Sequence, residues 1–184
     1  MKKILAFFAI VVLTMMSFIS CQKDVNSGEL TAYEKAIKAA AEKYVPEVIY
    51  QTYGKLATAG ETLCEDIQAM NEKGVKSLTQ ADIDKACKDF LEARAYWEAS
   101  EAFLFGAATD FSIDPHIDSW PLDRTGLANN LSNSKVLDAL KEQGVDAISQ
   151  LGETALGFHG IEFVLFRDGA NRTLAALKGN EAAE

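Results

Sequence analysis

The chain has 184 residues, a net charge of −9 and 48% apolar residues, enough apolar content for one packed core, so disorder is not the default. Its acidic balance argues against nucleic acid and anionic membrane surfaces as partners, since both call for basic patches. Cation binding stays open, although acidity alone is more often a solubility feature.

The N-terminus comes first. Lys2 and Lys3 precede the apolar run "ILAFFAIVVLTMMSFIS", which stops at Cys21. A basic flank and an apolar core read as an export signal; at about 17 residues the run is at the lower limit for spanning a bilayer. Its end, "FISC", resembles the lipobox of bacterial lipoproteins, with Phe18 where leucine is common. That resemblance implies that Cys21 becomes the lipidated first residue of the mature chain. Residues 1–20 then read as a signal peptide, 21–31 as a polar tether and 32–184 as a helical domain. Loss of residues 1–20 removes two lysines and leaves 164 residues at net −11. The expected location is the bacterial cell envelope, on the outer-membrane or periplasmic side, with the lipid anchor as the membrane contact.

The segment "AYEKAIKAAAEKYVPEVIYQTYGKLATAGETLCEDIQAM" is rich in helix formers, with apolar residues recurring at three and four. Pro46 suits a kink or a new helix start. "NEKGVKSLTQ" reads as a short turn between two antiparallel helices, with Thr79 as N-cap and Asp82 in the capping-box position. Cys64 and Cys87 flank this turn symmetrically, so the two thiols lie level. An oxidising envelope would let them pair, but a disulfide also needs the side chains to face each other; two ordinary buried thiols are the alternative.

From Gln80, "QADIDKACKDFLEARAYWEASEAFLFG" predicts a long helix ending at Gly106. "AATDFSIDPHIDSWPLDRTGLANNLSN" predicts an irregular stretch in which Trp120 buries its ring and Pro121 restricts the backbone. "SKVLDALKEQ" predicts a helix stopping at Gly144. A last helix holds "LGFHGIEFVLF". Strand-like alternation is scarce, so the fold class is all-α, a helical bundle.

In that last helix His159 and Glu162 fall about 60° apart on a helical wheel, side by side on one face. Gly157 and Gly160 lie on the opposite face with Ile161 and Val164. Two glycines inside a helix cost roughly 1 kcal/mol each, so another helix is expected to approach that back face closely. An interior carboxylate must be paired or bind a cation. The plain reading is Glu162 satisfied by His159 or by Arg94. The functional reading is a metal site, since bundles build iron and manganese centres from inward carboxylates and histidines.

Three stretches, "WEASEAFLFG", "IDPHIDSWPLD" and "GFHGIEFVLF", together resemble the imelysin-like family, which includes iron-regulated envelope proteins and proteins described as peptidases. Its hallmark Gly-x-His-x-x-Glu is matched by Gly157, His159 and Glu162. Its Trp-Pro loop resembles Ser119 to Asp123, with Trp120 and Pro121, and its Trp-containing helix resembles Trp97 to Phe105. The likeness runs from about Ala32 to Gly169. It implies an all-helical envelope protein of two bundle-like halves with the histidine and glutamate in a cleft between them, of which this chain carries the first half and breaks off in a helical pattern.

The implied function is metal binding in iron uptake or handling, by a lipoprotein that works with other iron-uptake or envelope proteins. The metal is divalent or trivalent, iron favoured and zinc the alternative. His159 and Glu162 are the expected ligands, with Glu101, Asp118 and, less favoured than a plain solvated loop role, His116 to complete the set. A metallopeptidase is the alternative the family's other members suggest. Against it, Gly160 follows His159 where H-E-x-x-H needs glutamate, and Phe163 follows Glu162 where the inverted motif needs histidine. A cleft for a peptide or an envelope protein, without metal, is the third reading.

Overall fold

The structure, a computed structural model, describes residues 28–148 and 151–179. The export-like run, Cys21 and most of the tether lie outside the described residues. The fold is all-α apart from one two-stranded hairpin. Two compact units divide at Tyr44 and Val45. The first contains helix α1 (Ala32–Tyr44), whose start is held reciprocally: the Thr31 amide donates to Glu34 at 2.7 Å and the Glu34 amide to the Thr31 hydroxyl at 3.2 Å.

The second unit begins with a π-helical turn, Val45–Ile49, containing Pro46. It is built on α2 (Tyr50–Lys73) and α3 (Gln80–Ser100). These helices run antiparallel: Lys73 pairs with Asp82 at 2.7 Å, Lys85 with Asp66 at 2.5 Å, and the Lys55 ammonium stands 5.9 Å from the centre of the Tyr96 ring. Gly74 turns the chain at φ +72°, and the expected capping box is formed, with both the Thr79 and Asp82 side chains engaged. Lys73 and Thr79 together hold the Asp82 carboxyl down at about 2.

That register sets Cys64 and Cys87 level, as expected, but both are free. Of the two thiols expected to be buried if unpaired, only Cys87 is, with its sulfur 3.5 Å from the Leu165 carbonyl oxygen; Cys64 is exposed. Level height is therefore not enough, because the side chains leave their helices in different directions.

The inner face of α3 follows helical spacing: Ile83, Ala86, Cys87, Phe90, Ala93 and Trp97 are all buried. Each large apolar side chain removed from water stabilises by roughly 1.5–3 kcal/mol. The helix is shorter than expected. It ends at Ser100 and passes through a 3₁₀ turn, Glu101–Phe103, before Gly106 reverses the chain at φ +62°.

The stretch expected to be irregular is largely helical, in short pieces: α4 (Ala107–Asp110), α5 (Ile113–Ile117) and α6 (Arg124–Ser132). Local caps explain them, as where the Asp123 carboxylate accepts from the Gly126 amide at 2.8 Å to start α6. Helix α7 (Ser134–Gln143) stops at Gly144, φ +58°, as expected, and α8 (Val145–Ile148) follows.

Helix α9 (Gly157–Leu165) carries the His-Glu motif. It leads into β1 (Phe166–Arg167) and β2 (Ala170–Asn171), with Phe166 opposite Asn171. Asp168 and Gly169, at φ +52° and +76°, make the two-residue turn, the left-handed pair that an Asp-Gly hairpin favours. A short α10 (Leu174–Leu177) closes the described part.

Candidate functional site

Three segments build the site, and each places its residues for a local reason. On α3, the buried face that carries Phe90 and Trp97 also brings Arg94 to the edge of the core. On α9, Phe158 points inward: its ring stacks on Trp97 at 6.5 Å and meets Phe90 edge-on at 5.8 Å. The Arg94 guanidinium lies 5.4 Å from the centre of the same ring. Turning Phe158 inward directs its neighbour His159 toward the third segment, the loop after α5.

Asp118 begins that loop. Its side chain is only 7% exposed, so its charge has to be met by donors, and it is. One carboxylate oxygen pairs with Arg94 and lies 3.1 Å from Nε2 of His159. The other accepts the indole N–H of Trp97 at 2.6 Å. Arg94 also pairs with Glu98 at 2.5 Å. Burial alone would lower the Arg94 pKa, but the Asp118 and Glu98 carboxylates outweigh it and the net direction is upward. The guanidinium stays charged.

A carboxylate can only accept, so the hydrogen on the His159 ring belongs on Nε2. In the neutral ring Nδ1 then offers a lone pair, and the nearest carboxylate is Glu162, whose Oε2 lies 3.3 Å away. Acceptor faces acceptor at that point, an arrangement that a shared cation or proton satisfies. His159 is mostly buried and Glu162 about half exposed. Both line an open cavity of about 770 Å³.

The glycines before and within the motif have different reasons. Gly157 opens α9 at φ +72°, and a Cβ there would stand 2.3 Å from the backbone oxygen of Ile117. It therefore starts the helix, not its middle, and what approaches it is the end of α5. This contact ties the His-Glu helix to the loop bearing Asp118. Gly160 and the rest of the back face, Ile161 and Val164, line a separate apolar groove of about 890 Å³, so among the described residues no helix covers all of that face, contrary to expectation.

Trp120 is 69% exposed, contrary to the expectation that its ring is buried. Its ring centre stands 4.7 Å from that of His159, and it lines the polar cavity. The loop serves the site by shielding the imidazole, with a cis peptide bond joining Trp120 to Pro121.

The structure thus brings together His159, Glu162, Asp118, Trp97, Trp120 and Gly157. Glu101 gathers instead with Glu98 and Asp118, their ligand atoms within 4.8 Å of one another, and is not among the residues lining the polar cavity. His116 lies in α5, bonded through Nδ1 to the Ser112 carbonyl at 2.7 Å and facing Glu153 at 3.5 Å, beside the apolar groove. Arg124, Arg167 and Arg172, which also line the polar cavity, escaped sequence reasoning. The available signal was the Asp-Gly pair between two arginine-bearing segments.

The site residues fit a metal ion. Ligand atoms sharing one zinc-sized ion stand roughly 3.0–3.5 Å apart, from bond lengths near 2.1 Å, and Nδ1 and Oε2 meet that separation. Asp118 behaves as the partner that fixes a ligating histidine's tautomer and ring orientation, with its oxygens committed to Arg94, Trp97 and His159.

Comparison with known proteins bears on the fold and the family. Iron-regulated protein A of Synechococcus elongatus is 28% identical over 123 residues, 67% of this chain and 30% of that protein. The crystal structure of an imelysin peptidase from Bacteroides ovatus superposes with a TM-score of 0.60 at 26% identity, over 76% of this chain and 39% of the other. That of an iron-regulated protein A precursor from Parabacteroides distasonis gives 0.62 at 30% identity, over 82% and 39%. The chain therefore spans well under half the length of these relatives. Residues 49–183 match the family model described as Imelysin, which takes in the whole His-Glu site and most of the sequence, and the chain belongs to the imelysin family.

Proposed function

We propose that His159 and Glu162 bind a metal ion, iron in preference to zinc, in a cell-envelope lipoprotein serving iron uptake or handling. The observation that carries this reading is Nδ1 of His159 facing Oε2 of Glu162 at 3.3 Å on the wall of an open cavity, with Nε2 committed to Asp118. A sealed histidine–glutamate pair would have no such space in front of it. Two relatives carry iron regulation in their names, which favours iron. The remaining coordination positions fall to water or to groups brought by the ligand.

Peptide hydrolysis is the weaker reading. A peptidase zinc needs three protein ligands and a separate general base, and among the described residues Glu162 is the carboxylate placed beside Nδ1. The lipid anchor at Cys21 belongs to the same proposal: Cys21→Ser moves the protein out of the membrane fraction, and unchanged partitioning counts against it.

The test of the metal site is titration of the folded chain with ferrous iron and with zinc, for wild type and His159→Ala. Loss of at least tenfold in affinity with unchanged helicity supports the proposal. Equal affinity in the two proteins sinks it.

A further inference from the structure

The chain contains four arginines, at positions 94, 124, 167 and 172. Arg94 holds Asp118, and the other three line the cavity that His159 and Glu162 face. No lysine among the described residues lines it. Set against Glu162 and Asp168 in the same lining, the three arginines leave the cavity wall with a small excess of positive charge, in a chain of net charge −9.

The three do not share one task. Arg172 is spent on structure: its guanidinium donates to the Val164 and Phe163 carbonyls at 2.8 and 2.7 Å, closing the C-terminal end of α9. Arg124 lies 6.0 Å from the centre of the Phe163 ring and forms no ion pair among the described residues. Arg167 stands on the hairpin with Asp168 as its neighbour at 3.8 Å, and Asp168 is itself 94% exposed. So long and exposed a pair is largely screened by water. Two guanidinium groups therefore border the cavity with donors to spare. Trp120 and Phe163 add apolar surface to the same cavity.

Arginine differs from lysine in presenting a planar fork that meets carboxylate or phosphate in two parallel hydrogen bonds. We propose that this cavity binds a small oligoanion through Arg124 and Arg167, and that this anion is the chelator in which the metal arrives at His159 and Glu162. The ligand class is a compact molecule with two or more carboxylate or phosphate groups. The delivery step rests on the metal-binding reading above; the anion site does not. The arrangement also meets a need of that reading, because two protein ligands leave most of the coordination sphere to be filled, and a chelator's oxygens fill it.

The experiment is calorimetric titration of the metal-free chain with citrate and, separately, with pyrophosphate, at low ionic strength. The panel is wild type, Arg124→Gln, Arg167→Gln and the remote control Lys141→Gln, with circular dichroism to check the fold. Binding of citrate marks a carboxylate site and binding of pyrophosphate a phosphate site. Either supports the proposal when each arginine variant weakens it at least tenfold, while Lys141→Gln stays within about threefold of wild type. No binding of either anion, or arginine variants that bind like wild type, overturns it. Metal binding in the iron and zinc titration with no anion binding here leaves the metal site standing and removes this proposal; anion binding here with no metal binding in that titration leaves the anion site standing and removes the delivery step.

Discussion

Asp118 and His159 come from segments some forty residues apart, yet Oδ1 of one lies 3.1 Å from Nε2 of the other. The contact exists because Gly157 lets α9 abut the end of α5. Everything chemical about the site follows from it: the tautomer of His159, the direction of its free nitrogen, and the use of Arg94 and Trp97 as clamps on the carboxylate.

Asp118→Asn keeps the size of the side chain and removes its charge. Arg94 then keeps only Glu98 as counter-charge, and the histidine loses the acceptor that fixes its tautomer. We expect metal affinity to fall 10–100-fold and stability by about 1–3 kcal/mol. Parallel metal titration and urea unfolding measure the two effects; an unchanged metal affinity refutes the orienting role.

Gly157→Ala puts a methyl group against the Ile117 backbone at a left-handed φ. Left-handed strain and overpacking together cost roughly 2–4 kcal/mol. Gly160→Ala, facing no atom closer than 3.2 Å, has a much smaller effect. Thermal unfolding of the two variants side by side tests the contrast.

The capping box makes stability pH-dependent in a defined direction. The Asp82 carboxyl is held at about 2 by Lys73 and Thr79, below its ordinary 3.8. A depressed carboxyl contributes stability above its unfolded value and loses it as pH falls through the folded one. Wild type should therefore lose its advantage over Asp82→Asn between about pH 4 and pH 2. A constant difference in urea midpoint across that range contradicts the capping role.

Thiol chemistry separates the two described cysteines. Burial raises the Cys87 pKa and hides the sulfur, while Cys64 is exposed. Cys64 should label with iodoacetamide in the native protein and Cys87 only after unfolding, read by peptide mapping. Comparable native labelling of both shows that the α3 core opens readily.

Local patterns were legible in the sequence because their causes are local. The α2–α3 hairpin, the Thr79–Asp82 box and the stop at Gly144 depend on residues a few positions apart, and each was read correctly. The His159–Glu162 pairing was legible too, since i and i+3 share a helix face wherever the helix goes. The all-α class followed from the same periodicities.

What lay beyond reach was decided between segments. Whether Cys64 faces Cys87, whether Trp120 is buried, and where three arginines converge all depend on how distant elements rotate and abut. The short helices α4 to α6 rest on weak local signals that propensity alone does not resolve. The hairpin at Asp168 and Gly169 was passed over because its strands are two residues long, too short for alternation to register. The sequence by itself thus determined the helices and the His159–Glu162 pair, through short-range spacing; the tertiary structure decided which carboxylate meets the histidine and which cations line its cavity, because packing, not spacing, sets those distances.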